Sequence, residues 1–304
     1  GAAAFFFAAA RFFKFTQEDV MTNQKRILSV QDISCFGKCS NTVAMPILSA
    51  AGMEAVMLPT ALLSTHTGGF TGFTFLDLTE EMERILSHFE TVPVLFDMLY
   101  TGYFGSAEQL SIVKRHKSAL LKEQALFVVD PVLGDNGKLY AIYDEAYVAA
   151  MRAFCQGADV ITPNMTEACL LAGLPFCGNQ YAPDAIAELL HRLHEIGAKQ
   201  VLLTGVRFGD TEIGVVGSTQ DGATPFLVKS RYLDVHLHGT GDVLTSSLCA
   251  YLAKGLPFPE AAKGAIHFIS ACIDHTEQAL PEHWYGLLFE PCLPMLADFK
   301  SAQA

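Results

Sequence analysis

The sequence predicts an α/β protein with a mostly parallel sheet and helices on both faces. Short apolar runs alternate along the chain with longer amphipathic stretches, as expected when buried parallel strands are joined by helical crossovers. Hydrophobic residues make up 51% of the 304 residues and charged residues 17%, which is enough apolar side chain for a large core. No internal repeat, linker or charge block divides the chain. We therefore expect one doubly wound domain.

The first twenty residues differ in composition from the rest. They read GAAAFFFAAARFFKFTQEDV, nearly all alanine and phenylalanine with two basic residues. A secretory signal carries its basic residues before the apolar run, and here the order is reversed. We interpret residues 1–20 as a tag segment and expect the folded domain to span residues 21–304.

Hydrophobic periodicity predicts the individual elements. Strands are expected at 26–30, 54–58, 92–99, 125–130, 158–162 and 200–205. Helices are expected at 41–51, 79–90, 106–122, 143–155, 165–172 and 183–196. The segments TEIGVVGS (211–218) and PFLVKS (225–230) then predict a hairpin-like pair, followed by two final helices.

Polar, glycine-containing loops follow most of the predicted parallel strands. QDISCFGKCSN, PTALLSTHTGGF, YTGYFGS, PVLGDNGKLY and PNMTEA each come at the carboxyl end of a strand. Ligands of open α/β sheets bind outside these strand ends. Each loop could also be ordinary turn chemistry, but five of them at one edge predict a single crevice.

Composition also limits the partners. The formal net charge of -12 argues against nucleic acid and anionic membranes, which require a basic surface. No stretch after residue 20 has the ~18 to 20 consecutive apolar residues of a membrane span. The eight cysteines show no CxxC pair or zinc-type spacing, which favours reduced thiols in a cytosol. The P-loop and the G-x-G-x-x-G fingerprint are both missing from the sequence, so a nucleotide would have to be held in another way.

The segment HGTGD, residues 238–242, opens a predicted helix on an aspartate. Glycines allow close approach of the backbone to a ligand, and the first N–H groups of a helix form an anion site. Asp242 could serve there as a helix cap or as a base beside a bound anion.

Four motifs in order, VVDPVLGD, ITPNMTEACLLAG, VLLTG and HGTGD, resemble the pyridoxal kinase branch of the ribokinase superfamily. STHTGGF and LYTGYFGS resemble the substrate loops of that branch, so the similarity covers roughly residues 26–275. It implies a ribokinase-like domain without a separate lid domain, a cytoplasmic homodimer, and small-molecule substrates. The implied reaction transfers the ATP γ-phosphoryl group to the 5′-hydroxymethyl group of pyridoxal, pyridoxamine or pyridoxine.

The resemblance also assigns roles to residues of the phosphoryl-transfer end. It implies that Asp242 takes the hydroxyl proton, while Gly239, Thr240 and Gly241 cradle the transferring group with their N–H groups. Asp130 and Glu167 are implied ligands of Mg²⁺, a cation that prefers oxygen. Whether a monovalent cation binds in addition to Mg²⁺ is left open.

Further ATP contacts are implied at Asp135, Tyr140, Asn164 and Thr204. The segment DNGKLYAIY would form a flap over the phosphates, with Gly137 permitting movement, because kinases must exclude water. From the residues alone, Asn164 with Glu167 could equally be a helix capping pair, and Thr204 a strand-end threonine.

On the acceptor side the resemblance implies that His66, Thr67 and Tyr103 line the ring pocket. From the residue alone, His66 could equally be a structural histidine with its hydrogen bonds satisfied. The chain departs from the family at Asp32 in VQDISCFG, where a serine is expected. An ionised aspartate only accepts hydrogen bonds, so it would favour a ring that carries an N–H group. Alternatively, Asp32 caps the following turn.

Three other functions are alternatives to this one. Hydroxymethylpyrimidine or hydroxymethylpyrimidine phosphate kinase shares the fold, but that branch typically has cysteine at the position of Asp242. A non-catalytic small-molecule sensor could keep the fold, although it would need neither Asp242 nor the Asn164 and Glu167 pair. A nicotinamide-dependent oxidoreductase would need the missing glycine fingerprint.

Overall fold

The computed structural model describes residues 24–178, 180–233 and 237–298. The segment 1–20, which we interpret as a tag, lies outside the described residues, as do residues 21–23 and 299–304 at the ends of the predicted domain.

Eleven strands and nine α-helices form the described part of the chain. The strands are β1 (Arg26–Phe36), β2 (Glu54–Thr65), β3 (Phe75–Asp77), β4 (Phe96–Thr101), β5 (Leu121–Val129), β6 (Gly134–Asp135), β7 (Lys138–Leu139), β8 (Val160–Ile161), β9 (Gln200–Arg207), β10 (Glu212–Thr219) and β11 (Phe226–Arg231). The helices are α1 (Asn41–Ala50), α2 (Thr79–Phe89), α3 (Ala107–Leu120), α4 (Glu145–Phe154), α5 (Met165–Ala172), α6 (Pro183–Glu195), α7 (Thr240–Ala253), α8 (Phe258–Gln278) and α9 (Pro294–Asp298).

Nine of the strands form one sheet in the order β11-β10-β9-β8-β5-β4-β1-β2-β3. Its central strands, from β2 to β9, pair in parallel. The edge strands pair antiparallel, β3 with β2 at one edge, and β10 with both β9 and β11 at the other. The predicted mostly parallel sheet and the hairpin near residues 211–230 are confirmed.

Helices cover both faces of the sheet. Successive residues of each central strand point to opposite faces, and the residues on both faces are apolar. Leu28, Leu99 and Phe127 pack toward α2 to α6. Ile27 and Met98 pack on the opposite face, toward α1, α7 and α8. Burial on both faces is typical of parallel strands, which therefore form near-continuous apolar runs in the sequence. None of the helices in the described ranges is both long and apolar enough to cross a membrane.

Two elements reach further than the periodicity predicts. β1 and β2 continue to Phe36 and Thr65, well past the predicted ends at 30 and 58. Their extensions carry polar residues and pair with each other, so the strand pairing extends beyond the apolar run. The continued pairing brings the loops after both strands to the same place above the sheet.

The apolar periodicity does not predict the short hairpin β6–β7, which overlaps the segment expected to form the flap. Asn136 and Gly137 have φ values of 50° and 75°, the left-handed conformation that a two-residue type I′ hairpin turn requires. The dipeptide Asn-Gly is the sequence signal for this turn, and it lies within the flap segment.

Candidate active site

Four acidic residues meet above the carboxyl ends of the parallel strands. Asp32 lies in β1, Asp130 follows β5, Glu167 lies in the first turn of α5, and Asp242 lies in the first turn of α7. Asp32, Asp130 and Glu167 are 4–7% exposed, and Asp242 is half-buried. We refer to these four as the carboxylate cluster.

Asp242 lies at the amino end of α7, behind a tight glycine turn. Gly239 has φ 77°, and a Cβ there would lie 1.9 Å from the Lys38 carbonyl oxygen, so only glycine fits. Burial raises the pKa of Asp242 to about 7; the Ser40 backbone N–H opposes this rise, and the charge of Asp32 adds to it. A carboxyl with a pKa near neutrality suits proton transfer.

Asp130 lies across the glycine turn from Asp242. A Cβ on Gly241 would be 3.9 Å from Asp130 Oδ2, and the Thr245 hydroxyl lies 3.5 Å from the same oxygen. Burial, followed by the charge of Asp242, raises the pKa of Asp130 to about 8. Thr240 begins the helix between the two glycines. The predicted cradle of residues 239–241 therefore adjoins both carboxyl groups.

Asn164 and Glu167 form a capping box at the start of α5. Asn164 Oδ1 accepts from Glu167 N, and Glu167 Oε2 accepts from Asn164 N, both at 2.9 Å. Glu167 Oε1 accepts from Leu133 N at 3.1 Å, and Asn164 Nδ2 donates to the Gly134 carbonyl at 2.9 Å. The capping interpretation is thus correct. Each carboxylate oxygen of Glu167 already accepts one backbone hydrogen bond, so only its remaining lone pairs could bind another partner. Burial and then the charge of Asp130 raise the pKa of Glu167 well above its usual range.

The carboxylate cluster is not neutralised by lysine or arginine among the described residues. No lysine or arginine there forms an ion pair with any of its members, and burial raises the pKa of all four carboxyl groups. Uncompensated buried carboxylates are unfavourable unless a cation joins them. No group of three or more histidine, cysteine or acidic side chains within the described ranges is arranged to hold a metal by itself. Mg²⁺ in kinases uses one or two carboxylates with phosphates and waters, so the cluster fits such a cation.

The flap hairpin β6–β7 lies beside the cluster. Asp135 accepts from the backbone and side chain of Asn136 at 2.8 and 3.0 Å. Gly137 N donates to Thr166 Oγ1 at 2.9 Å, which docks the turn on α5. Tyr140 is 44% exposed, and burial of its hydroxyl, followed by the charges of Glu167 and Asp135, raises its pKa.

Thr204 lies at the same edge of the sheet. Its N–H donates to the Pro163 carbonyl at 2.9 Å, and its hydroxyl lies 3.4 Å from the same oxygen. Thr204 and Asn164 form an isolated parallel β-bridge. The structure therefore brings Thr204 next to the capping box, as the predicted shared site requires.

The root of the flap is bound to the loop after β4. Tyr143 and Tyr147 stack with ring centroids 3.9 Å apart, and both hydroxyls donate to the Phe104 carbonyl, at 2.7 and 3.3 Å. Phe104 follows Tyr103, which is half-buried. Burial and then the charge of Asp32 raise the pKa of Tyr103 to about 12. Tyr103 thus faces Asp32, as its predicted place in the ring pocket requires.

His66 has both ring nitrogens engaged. Nδ1 accepts from Gly68 N at 3.1 Å, so the proton is on Nε2, which donates to the Tyr285 carbonyl at 2.7 Å. These bonds are those of a satisfied structural histidine, the alternative to the pocket-lining role that the residue taken alone suggests. Thr67, its neighbour, is exposed.

Asp32 lies within β1 and is more buried than a residue that only caps a surface turn. Ser34 Oγ donates to Asp32 Oδ2 at 2.9 Å, and the Ser40 side chain also hydrogen-bonds the carboxyl group. Burial raises the pKa of Asp32, while these two hydroxyls lower it. Asp32 therefore lies close enough to Asp242 for its charge to raise the pKa of that carboxyl.

Ser40 is a site residue that the sequence analysis missed. It combines φ 51° with ψ −133° before α1, a conformation that is costly outside glycine and that clusters at functional sites. It contacts Asp32 through its side chain and faces Asp242 with its N–H. A serine before a helix predicts a cap, but no local signal shows which acids it meets.

Comparisons with known proteins identify the family of this chain. The sequence model of the phosphomethylpyrimidine kinase family matches residues 45–286. The pyridoxal kinase of Dictyostelium discoideum is 30% identical over 251 residues, covering 75% of this chain and 78% of that protein.

Two solved structures are similar over nearly the whole chain. Pyridoxal kinase from Lactobacillus plantarum has a TM-score of 0.81 at 33% identity, covering 90% of this chain and 96% of that one. A Bacteroides thetaiotaomicron protein named for phosphomethylpyrimidine kinase, in a crystal form with pyridoxal, has a TM-score of 0.85 at 38% identity, with the same coverage. The predicted ribokinase-like fold and the resemblance to pyridoxal kinases are confirmed. The chain belongs to the phosphomethylpyrimidine kinase family and is an ATP-dependent kinase.

Proposed function

We propose that this kinase phosphorylates the 5′-hydroxymethyl group of a vitamin B6 vitamer: pyridoxal, pyridoxamine or pyridoxine. The observation that carries the proposal is Asp242, a carboxyl with a raised pKa at a helix amino end, with a second buried acid, Asp32, on the acceptor side. The similarity to proteins named pyridoxal kinase supports the acceptor class.

In the proposed mechanism Asp242 accepts the proton of the hydroxymethyl group as its oxygen attacks the γ-phosphorus. The N–H groups of Gly239, Thr240 and Gly241 donate to the transferring phosphoryl group, because the amino end of α7 is a site for negative charge. Fixed donors at this position favour the transition state without reorganisation.

Asp130 and Glu167 would hold Mg²⁺, with Glu167 acting through water because its two oxygens also accept from backbone N–H groups. The metal would supply positive charge that neutralises the phosphates. The support is the uncompensated negative charge of the carboxylate cluster. A monovalent cation near the same acids is a further element of the proposal.

ATP would lie along the edge formed by Asn164 and Thr204, with Asp135 and Tyr140 of the flap above it. Flap closure would exclude water, which otherwise competes with the acceptor. On the acceptor side, Asp32 would accept from the ring nitrogen of a protonated vitamer, Tyr103 would pack on the ring edge, and Thr67 would bond a ring substituent. His66 would hold the acceptor loop in place.

A second candidate is hydroxymethylpyrimidine or hydroxymethylpyrimidine phosphate kinase. It is favoured by the description of the matching family and by the name of the Bacteroides thetaiotaomicron protein. Asp32 could accept from an aminopyrimidine as well. The aspartate at 242, where we expect cysteine in that branch, favours the vitamers.

The experiment is ADP release measured with pyridoxal, pyridoxamine, pyridoxine, hydroxymethylpyrimidine and ribose. We expect turnover with the vitamers that exceeds turnover with the pyrimidine and with ribose. Asp221→Asn, at an exposed carboxylate in the turn after β10, is a matched control that should keep full activity. A kcat/KM for hydroxymethylpyrimidine that exceeds the values for the vitamers would favour the second candidate. Binding of an acceptor without ADP release would favour a non-catalytic sensor.

The homodimer and the cytoplasmic location are also proposals. β3 is a sheet edge with Phe75 and Leu76 48% and 56% exposed, and the paired Leu62 is 38% exposed. A second copy covering this edge would remove the apolar patch from water. Sedimentation should give a dimer that Leu76→Lys dissociates. The eight cysteines are free, which supports a reducing compartment.

A further inference from the structure

The chain returns to the acceptor side of the site after α8. Residues 283–286, which we name the C-terminal strap, lie against residues 66–70, the acceptor loop. His66 connects the two, because its Nε2–H donates to the Tyr285 carbonyl at 2.7 Å while its Nδ1 is held by Gly68 N. The tautomer and the ring orientation of His66 are thereby fixed from both sides.

Aromatic rings from three distant segments interlock at this contact. Phe70 lies 4.8 Å from Trp284, and Phe36 lies 4.9 Å from Tyr285, measured between ring centroids. Phe36 and Phe70 meet edge to face at 5.9 Å. The strap is thus part of a packed aromatic layer. The layer also includes Phe36 at the carboxyl end of β1 and Phe70 of the acceptor loop.

Glycines allow the layer to pack this closely. A Cβ on Gly69, which has φ 79°, would lie 2.7 Å from the Trp284 ring. A Cβ on Gly37 would lie 2.1 Å from the His66 ring. The backbone of both loops therefore lies directly against these rings, and this close fit positions the strap relative to the acceptor loop.

The layer exposes apolar ring surface at Phe36, four residues past the buried acid Asp32 in β1. Phe36 is 49% exposed and Trp284 is 42% exposed, whereas Asp32 is 5% exposed. His66, which carries the strap, lies close to Asp32. Aromatic faces beside a hydrogen-bond acceptor suit a planar heterocycle, because the ring stacks while its N–H donates.

We infer that the C-terminal strap forms the outer wall of the acceptor pocket, and that Trp284 is a specificity-determining residue that stacks on the aromatic ring of the acceptor. This inference rests on the proposed function, since it names the wall of that same pocket. It requires a planar aromatic acceptor and disfavours sugars, which offer no face of comparable apolar area to the Trp284 ring.

Trp284 is the only tryptophan of the chain, so its fluorescence reports the strap alone. The first experiment measures acrylamide quenching from fluorescence lifetimes, with a non-hydrolysable ATP analogue present and saturating pyridoxine added. We expect pyridoxine to lower the quenching constant at least twofold, and ribose or the nucleotide alone to leave it unchanged. An unchanged constant with every aromatic acceptor, or equal shielding by the nucleotide alone, would overturn the inference.

The second experiment measures steady-state kinetics of two variants. Trp284→Ala should raise the KM for the vitamer roughly 3- to 10-fold, the size of one lost ring contact, with the KM for ATP unchanged. Trp284→Phe should restore most of the affinity. Leu227→Ala, at an exposed apolar position of β11, is the matched control and should change neither constant. Equal effects of Trp284→Ala on both KM values, or none on either, would contradict the assignment.

The two experiments separate this inference from the proposed function. Shielding of Trp284 by hydroxymethylpyrimidine but not by any vitamer would support the strap as a pocket wall and overturn the vitamer proposal. Phosphorylation of vitamers without any shielding would support the vitamer proposal and overturn the role of Trp284.

Discussion

Replacing Asp242 by asparagine should affect turnover and stability in opposite directions. The substitution keeps the shape of the side chain and removes its charge and its ability to accept a proton. We expect turnover to fall by ~10²- to 10⁴-fold, as for a lost general base, while vitamer and ATP affinities stay within a few-fold. We also expect the ligand-free protein to become more stable.

The size of the stability gain follows from the electrostatics of the site. Burial, and with it the charge of Asp32, raises the pKa of Asp242 from 3.8 to about 7. At about 1.36 kcal/mol per pKa unit, ionising this group at pH 8 costs the folded state about 4 kcal/mol. Water reaches the half-buried carboxyl group and screens part of this cost, so we expect the variant to gain about 2 kcal/mol.

The sign of the pH dependence is fixed by linkage. Because the folded pKa is raised, the stability contribution of Asp242 is fully present below pH 3.8 and is lost as the pH rises through about 7. The gain from Asp242→Asn should therefore be larger at pH 8, with about a third of it present at pH 5. Urea unfolding of Mg²⁺-free and nucleotide-free protein at both pH values measures it.

Asp221→Asn is the control for this measurement. The hydrogen bonds from Thr219 and Ala223 lower the pKa of Asp221, so any pH dependence of that variant should have the opposite sign. A gain for Asp242→Asn that is equal at pH 5 and pH 8 would refute the electrostatic reasoning. Turnover within tenfold of the parent would refute the role of Asp242 as base.

Three further predictions concern the same site. The kcat/KM of the parent protein should fall as the pH drops through about 7, since Asp242 must be ionised to accept a proton; a flat profile from pH 5.5 to 8 would contradict this. Glu167→Gln should raise the Mg²⁺ concentration needed for half-maximal rate more than it raises the vitamer KM, and superimposed Mg²⁺ titrations would remove the metal role. Asp32→Ser should raise the KM of the preferred vitamer and shift the ranking from pyridoxamine toward pyridoxal, because the acceptor for a ring N–H is lost. Unchanged KM values and ranking for all three vitamers would exclude contact between Asp32 and the ring.

Much of the fold could be predicted from the sequence because apolar periodicity reports burial. Helix α5 begins and ends where the pattern predicts, since Asn164 and Gly173 provide local cap and stop signals. Strand lengths were less predictable, because β1 and β2 continue through polar residues whose pairing depends on a partner 28 residues away.

The candidate site shows the same difference between local and distant information. Glycine turns and helix-start acids are local, so Asp242 and Glu167 could be found from motifs. The contacts of Ser40 with two acids, and of Tyr285 with His66, join segments that are distant in the sequence. Nothing in the residues around Trp284 indicates that it returns to the acceptor loop, because that placement follows from the packing of α8 and the chain after it.

The shared carbonyl of Phe104 determines which part of the flap can open. Tyr143 and Tyr147 both donate to it, so the root of the flap and the loop after β4 form one rigid body. The hinge must then lie between the hairpin and Tyr143, where the chain makes only single backbone bonds such as Tyr140 N to Leu133 O. Under the proposed nucleotide site, spent nucleotide would leave by a movement of residues 134–142 alone, and the proposed acceptor wall at Tyr103 would keep its shape from one catalytic cycle to the next.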